Sequence, residues 1–311
     1  MKNVKADLSI VVVSYNTLEM TRECLSSIFD QSANKQKIEV IVIDNASSDG
    51  SVEMIERLFK QVKLIKNRQN LGFAAANNLG FNFASADYVL LLNSDTVVLG
   101  DVLEQSVKYL QSNPEVGAMG CRILNTDKSM QASCSGYPTL WRLLAMTIGL
   151  DRLFCQFDQY RLRCWQRDSE RDVEVISGCY LLVRREIINK VGYLDENFFF
   201  FGEETDWCLR MRMAGWKLRF APVGEIIHHG GGSVKKLNFK RDVMLTDATI
   251  RLHRKNGGIY HARVAFLILC LFNISRALFW SIASLINPRA RLRASHFWNV
   301  VASTSTTWPK S

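Results

Sequence analysis

No C-x-x-C pair and no zinc-like cysteine spacing occurs in this 311-residue chain, although it holds eight cysteines, at positions 24, 121, 134, 155, 164, 179, 208 and 270. A chain of this length has no need of disulfide staples, so free thiols in a reducing cytoplasm are expected. A G-x-G-x-x-G fingerprint and a G-x-x-x-x-G-K loop are also missing, which excludes the usual dinucleotide and Walker phosphate sites. The apolar run Leu8 to Val13 is six residues long and gives way at once to Ser14, Tyr15 and Asn16, too short for a signal peptide. No internal repeat or low-complexity tract is present. Acids are scarce at one end: residues 235–311 hold 13 Lys or Arg against Asp242 and Asp247, a net +11, which leaves residues 1–234 at −2. A near-neutral body argues against nucleic acid as a partner, and the basic tail fits an anionic surface such as a lipid leaflet.

What is present is a large apolar fraction, 48% of residues against 22% charged, enough for one sizeable domain plus an appendage. Short β-branched runs alternate with amphipathic stretches: Leu8 to Val13, Thr17 to Gln31, Ile38 to Ile43, Ser51 to Lys60, Val62 to Ile65, Phe73 to Phe83 and Tyr88 to Leu92. This βαβ rhythm predicts an α/β fold with a doubly wound, mostly parallel sheet flanked by helices. A helix is expected over Asp101 to Gln111 and a strand near Val116 to Cys121. Tyr137 to Trp165 is aromatic-rich without clear order and reads as a loop over an acceptor cleft. Regularity returns with Val173 to Val183, a helix near Arg184 to Val191, a helix from Gly202 to Ala214 and a strand Lys217 to Ala221.

Ligands of such sheets bind beyond the carboxyl ends of the strands. The residues there are polar: Ser14-Tyr15-Asn16, then Asp44 to Gly50, then Asn93-Ser94-Asp95-Thr96. Asn93 and Asp95 can offer hard oxygen ligands to Mg²⁺ or Mn²⁺ on a diphosphate, or simply start a turn. Asp44 can accept a base N–H, while Asp49-Gly50 precedes a helix whose amides could face phosphate or merely be capped. The small residues from Asn70 and Gly72 to Gly80 allow close backbone approach to a bulky polar ligand, or close helix–sheet packing. Glu203, Glu204 and Asp206 emerge from the apolar wall Phe198 to Phe201. A partly desolvated carboxylate there could take a proton from a sugar hydroxyl, although acids also favour helix N-termini. His228-His229, followed by three glycines, could add an imidazole metal ligand.

As an ordered set over about residues 8 to 234, these motifs resemble family 2 glycosyltransferases, closest to the bacterial rhamnosyltransferase-like branch. The resemblance implies a GT-A fold over residues 1–234, with a nucleotide-sugar half of about 1–122 and an acceptor half of about 123–234. It implies that Tyr15 and Asp44 hold the base and that Ser14, Asn16, Asp49, Asn70, Gly72, Asn93 and Ser94 line the nucleotide-sugar site. Asp95 would bind the metal with His229 as a second ligand, and Glu204 would be the general base. Asn93 replaces the first Asp of the family's metal motif, and Glu204 stands where Asp is common, which leaves Glu203 and Asp206 open as base. By the same resemblance, a hexose such as rhamnose moves with inversion from a dTDP- or UDP-linked donor to a glycan or polyprenyl-linked oligosaccharide, in cell-surface polysaccharide synthesis.

Residues 235–311 read as a helical, membrane-associating extension. Val264 to Ile286 carries Arg276 as its one charge and could span about 34 Å as a helix. At 100° per residue Asn273, Arg276, Ser281 and Ser284 fall on one side, as expected for a helix lying in a membrane interface or packed on the body rather than for one transmembrane helix, and a soluble core helix pair with solvated basic ends stays open. The family resemblance implies that such attachment is cytoplasmic, peripheral on the inner face of a bacterial plasma membrane. Two rival readings remain at this level. A nucleotidyltransferase would carry a Gly-rich, basic loop where Ser14-Tyr15-Asn16-Thr17 stands, and a catalytically silent membrane-bound scaffold would have no need of Asp44, Asp95, Glu204 and His229 together.

Overall fold

The computed structural model describes residues 6–30, 37–230, 238–304 and 307–309. The elements are β1 (Leu8–Ser14), α1 (Leu18–Phe29), β2 (Ile38–Asp44), α2 (Ser51–Leu58), β3 (Lys63–Lys66), α3 (Gly72–Phe83), β4 (Tyr88–Asn93), β5 (Thr96–Val98), α4 (Val102–Ser112) and β6 (Val116–Leu124). They continue with β7 (Cys134–Ser135), α5 (Leu140–Ile148), α6 (Leu150–Leu153), β8 (Arg171–Asp172), β9 (Val175–Ile176), β10 (Tyr180–Arg184), α7 (Arg185–Val191), α8 (Glu203–Met213), β11 (Lys217–His228), α9 (Phe239–Ile286) and α10 (Ala290–Thr304).

The strands β1, β2 and β4 are apolar almost without interruption and buried, as strands covered on both faces must be. Among the described residues the main sheet runs β3-β2-β1-β4-β10-β6-β11-β5, with β8 beside β11. The first four strands are parallel. Next, β10 enters antiparallel to both β4 and β6, while β6 and β11 are parallel and β5 closes the edge antiparallel. Helix α3 reaches β1 because its contact residues are small: a Cβ on Gly80 would stand 2.3 Å from Val11 Cγ1.

Two compact units result. One comprises Met1–Ser135, Trp165–Phe199 and Glu203–Ser233, and the other Gly136–Cys164, Phe200–Gly202 and Val234–Ser311. The first unit holds the main sheet. In the second, Leu143 and Met146 of α5 pack with Ile250, Ala262 and Leu269 of α9, which breaks at Gly258 (φ 77°). Arg276 of α9 donates to the carbonyls of Thr147 (2.6 Å) and Met146 (3.1 Å), and Ser281 accepts from Trp298 of α10 (3.0 Å).

Several expectations change. Tyr137 to Trp165, expected as a loop over an acceptor cleft, holds α5 and α6, with Thr139 capping α5 by accepting from Arg142 N at 3.3 Å. Residues 136–164, grouped by sequence with an acceptor half, cluster with the C-terminal helices instead. Cys155 and Cys164 form a disulfide, so the expectation of eight free thiols is corrected. The turn after α6 brings their Cα atoms to 5.8 Å, and Arg163 holds the same turn through Asp151 and Asp158. The final strand continues beyond Ala221 to His228, through a register shift between Phe220 and Glu225. Gln31, Gly231, Gly232, Ser233 and the boundary at 234 and 235 lie outside the described residues.

The tight α3–β1 contact yields a stability prediction. Gly80→Ala gains about 1 kcal/mol of helix propensity, but overpacking against Val11 costs about 1–3 kcal/mol. A lower urea midpoint at unchanged slope is expected, and a stabilised variant would show that the sheet yields to the methyl group.

Candidate active site

Parallel register carries the ends of three strands to one rim. Ser14 pairs with Asp44, and Val13 pairs with Asn93, so the polar segments following β2, β1 and β4 stand side by side. Asp44 is 2% exposed; its Oδ2 accepts from Ser47 N at 3.0 Å, and its Oδ1 is buried with no hydrogen-bond partner among the described residues. An orphaned acceptor of this kind costs about 1–3 kcal/mol. A ligand N–H supplied at this position would remove that cost. Tyr15, which follows Ser14, the register partner of Asp44, is 40% exposed. Asn16, in the left-handed region (φ 52°), bridges the rim: its N–H donates to Ser47 Oγ and its Oδ1 accepts from Ser48 N.

Other candidates brace the rim from within. Ser14 is fully buried, and its hydroxyl lies 3.0 Å from Thr21 Oγ1. Thr17 Oγ1 lies 3.0 Å from Thr21 Oγ1 and 3.1 Å from Ser94 Oγ, so a buried hydroxyl cluster joins the ends of β1 and β4. Asp49 accepts from Leu18 N (2.9 Å) and from Ser51 N and Oγ, capping α1 and α2. Desolvation opposes ionisation of Asp49, yet the hydrogen bonds from Ser51 and Leu18 hold its pKa below the usual range. Asn70 Oδ1 accepts from Gly72 N (2.9 Å) and from Asn45 Nδ2 (3.1 Å). Asn45, next to Asp44, also donates to Gly72 O and accepts from Asn67 Nδ2, which fixes the loop in front of α3. Gly72 (φ 82°) carries no Cβ where one would meet Phe199 O at 2.4 Å.

The candidate metal residues meet through a long-range pairing. Strand β5 begins one residue after Asp95 and runs antiparallel to the end of β11, with Thr96 opposite His228. His228 Nε2 therefore lies 3.1 Å from Asp95 Oδ1, and Asn93 Nδ2 is 3.4 Å from the same nitrogen. The ring of His229, the histidine chosen from sequence, goes elsewhere: its Nε2 stands 3.2 Å from Glu23, while its backbone N–H donates to Asp95 O at 2.9 Å. Gln131 Oε1 lies 2.7 Å from His228 Nδ1, orienting the ring so that Nε2 faces Asp95. Burial opposes charge on His228, but hydrogen bonds to Asp95 and Cys179 raise its pKa to about 10. No group of three or more His, Cys, Asp or Glu that could hold a metal gathers among the described residues. One carboxylate and one imidazole about 3 Å apart do fit neighbouring positions around an octahedral cation whose remaining ligands come from phosphate and water.

The acidic helix α8 divides its three carboxylates by environment. Asp206 is fully buried and paired with Arg210 Nε at 2.8 Å. Glu203 is 3% exposed; burial, then the neighbouring charge of Glu204, drives its pKa well up. Glu204 keeps partial exposure. Two consecutive left-handed residues, Phe201 (φ 67°) and Gly202 (φ 89°), form the turn into α8. Trp207 anchors the helix by stacking on Phe81 of α3. The end of β9 and the turn into β10 tie this helix to the rim: Ile176 N donates to Cys208 Sγ (3.5 Å), and Cys179 O accepts from Asn93 N (3.2 Å).

The family model for glycosyl transferase family 2 matches residues 9–192, more than half of the chain. The chain belongs to glycosyl transferase family 2. An N-acetylglucosaminyl-diphospho-decaprenol L-rhamnosyltransferase of Mycobacterium tuberculosis is 29% identical over 238 residues, covering 71% of this chain and 76% of the relative. A poly-beta-1,6-N-acetyl-D-glucosamine synthase of Staphylococcus aureus is 25% identical over 222 residues, 70% of this chain and 48% of that protein. A mannosyltransferase from Pyrobaculum calidifontis, solved in complex with GDP-Man and Mn²⁺, superposes with a TM-score of 0.60 at 16% identity, covering 99% and 89% of the two chains. The likeness establishes the GT-A fold for this transferase. The transferase is homologous to a rhamnosyltransferase.

The transferase's two adjacent glutamates give a pH prediction. Because the folded-state pKa of Glu203 is raised, the unfolded chain ionises first, and stability is lost as pH climbs from the ordinary glutamate pKa toward the folded one. Glu203→Gln removes that loss. Its unfolding midpoint is expected to exceed wild type by a margin that grows as pH rises above the ordinary glutamate pKa of about 4.3, with no difference well below it.

Proposed function

We propose that the chain transfers a hexose, rhamnose being the leading candidate, from a nucleoside-diphosphate sugar to a glycan acceptor with inversion at the anomeric carbon. The observation that carries this reading is the common rim on which the buried, unpartnered Asp44 oxygen and the Asp95–His228 pair stand on adjoining strand ends. Asp44 would accept the base N–H, with Tyr15 against the ring, and the rim loops fixed by Asn16, Asn45 and Asn70 would hold the sugar diphosphate. Asp95 and His228 would hold a divalent cation, Mg²⁺ or Mn²⁺, whose bound charge stabilises the departing diphosphate.

Glu204 is the base in this reading. Asp206 is committed to Arg210, and burial together with the charge of Glu204 pushes the pKa of Glu203 well up, which leaves Glu204, partly exposed, as the carboxylate assigned to the acceptor hydroxyl. It removes the proton from the acceptor hydroxyl as the acceptor oxygen bonds to the anomeric carbon and the bond to the diphosphate breaks, in one displacement. The donor is read as dTDP- or UDP-linked and the acceptor as polyprenyl-linked, by analogy with the decaprenol-linked substrate in the mycobacterial relative's name. The basic C-terminal unit supports peripheral attachment at the cytoplasmic face of a membrane. A nucleotidyltransferase is disfavoured, because the loop after β1 carries neither a glycine run nor a basic residue.

Calorimetric titration with dTDP, UDP and GDP, each with and without Mn²⁺, tests the reading. Metal-dependent binding of dTDP or UDP is expected, lost in Asp95→Ala and weakened in His228→Ala. Absence of diphosphate binding under every condition would favour a catalytically silent scaffold. With donor and acceptor in hand, Glu204→Gln should lower kcat about 10²–10⁴-fold while leaving the nucleotide Kd unchanged. Glu203→Gln retaining less activity than Glu204→Gln would move the base to Glu203.

A further inference from the structure

We infer that α5 and α6, inserted in the chain between β7 and β8, are a second lipid-contacting element whose exposed apolar side chains enter an anionic bilayer surface alongside α9. This deepens, and rests on, the peripheral attachment proposed above.

Beyond the break at Gly258, α9 exposes Tyr260, Val264, Leu267, Leu271, Ile274, Leu278, Ile282 and Leu285 at a spacing of three or four residues that places these eight within about 40° of one line along the helix. Phe279 and Ile286, also exposed, widen the stripe on one side near its end, and Leu245 is exposed before the break. The opposite side is spent on protein: Ala262, Ala265, Leu269, Asn273 and Ala277 are buried, and the Arg276 guanidinium is taken up by the carbonyls ending α5. Asn273 and Arg276 therefore face the protein and the apolar stripe faces outward. A helix sided in this way suits the interface, with its free face at the depth of the acyl boundary.

Helix α5 repeats the arrangement. Leu143 and Met146 point into the packing with α9, while Trp141 (55% exposed) and Ile148 (56%) lie on the other side, two turns apart. Leu153 (73%), at the end of α6, and Phe154 (52%), just after it, are exposed too. The rings of Trp141 and Phe154 each meet Phe157 edge to face, so these side chains form one aromatic patch. The nearby acids are turned inward, Asp151 and Asp158 being buried on Arg163, while Arg142 donates to Tyr137 O and Arg152 is exposed beside the patch.

Charge selects the occupant. Residues 235–311 carry +11, and exposed Arg289, Arg291 and Arg293 flank exposed Leu285, Ile286 and Leu292. A second copy of so basic a unit would be repelled, whereas a leaflet of anionic headgroups is attracted by about 1 kcal/mol per basic residue near its surface. Trp280 and Trp298, beside this basic turn, are residues that favour the water–lipid boundary.

The test is flotation of the full chain with vesicles of phosphatidylcholine alone and of equimolar phosphatidylcholine and phosphatidylglycerol. Binding to the anionic vesicles is expected. The combined Trp141→Ser, Ile148→Ser, Leu153→Ser and Phe154→Ser variant should lower the partition coefficient about tenfold or more. Because that variant could fold poorly, Ile148→Cys in a Cys270→Ser background, labelled with an environment-sensitive dye, is measured as well and should shift to the blue on vesicles. Wild-type binding together with an unshifted label, or with an unaffected combined variant that retains its circular dichroism, overturns the role of α5 and α6 and leaves α9 as the anchor. No binding of wild type to either vesicle overturns the attachment reading itself. A dimer that dissociates in the combined variant, with no vesicle binding, assigns the patch to a second copy and overturns the lipid assignment.

Discussion

Everything at the rim depends on the in-register parallel pairing of β2, β1 and β4. Hydrogen bonding between these strands sets Asp44 opposite Ser14 and Asn93 opposite Val13, so three chain segments far apart in sequence finish at the same height. Parallel strands require burial on both faces, and the apolar runs meet that requirement. The carboxyl ends are then the places where polar side chains can collect without disturbing the core.

Around that rim most polar side chains serve as braces. The hydroxyls of Ser14, Thr17, Thr21 and Ser94, the amide of Asn45 and the carboxylate of Asp49 are satisfied within the protein, holding loops in position. Asp44 keeps one buried oxygen unsatisfied, and the pair formed by Asp95 and His228 is concentrated at one point. A polar group left open inside an otherwise satisfied network is the feature that a ligand explains best. The same contrast orders α8, where Asp206 is paired and Glu203 is desolvated, while Glu204 keeps partial exposure.

The second unit uses polarity in the reverse sense. Arg276, Asn273 and Ser281 serve contacts within the protein, and the outward surface of α9 is largely apolar. In water such a surface is a liability; against lipid it is an attachment. Under the proposed transfer to a lipid-linked acceptor, this division would set an aqueous nucleotide site in the first unit and a lipid contact in the second.

How much of this was readable in advance follows from the range of the interactions. The alternation of apolar runs and Asx-rich strand ends is local, so the βαβ order, the positions of Asp44 and Asp95, and the acidic start of α8 were all visible in the chain itself. Choosing between His228 and His229 was not, because it depends on β5 pairing with the end of β11 beyond a register shift, and no local signal encodes that pairing. Gln131 left no trace in sequence either, since it meets His228 across 97 positions of chain. The Cys155–Cys164 bond and the folding of residues 140–153 into helices against α9 likewise arise from packing. Sequence alone determined which residue types stand at the strand ends and how charge divides between body and tail, since both are written in short-range pattern and composition. Tertiary structure alone decided which histidine meets Asp95, which acids are desolvated and which side of α9 faces outward, because register and burial are fixed only when distant segments pack.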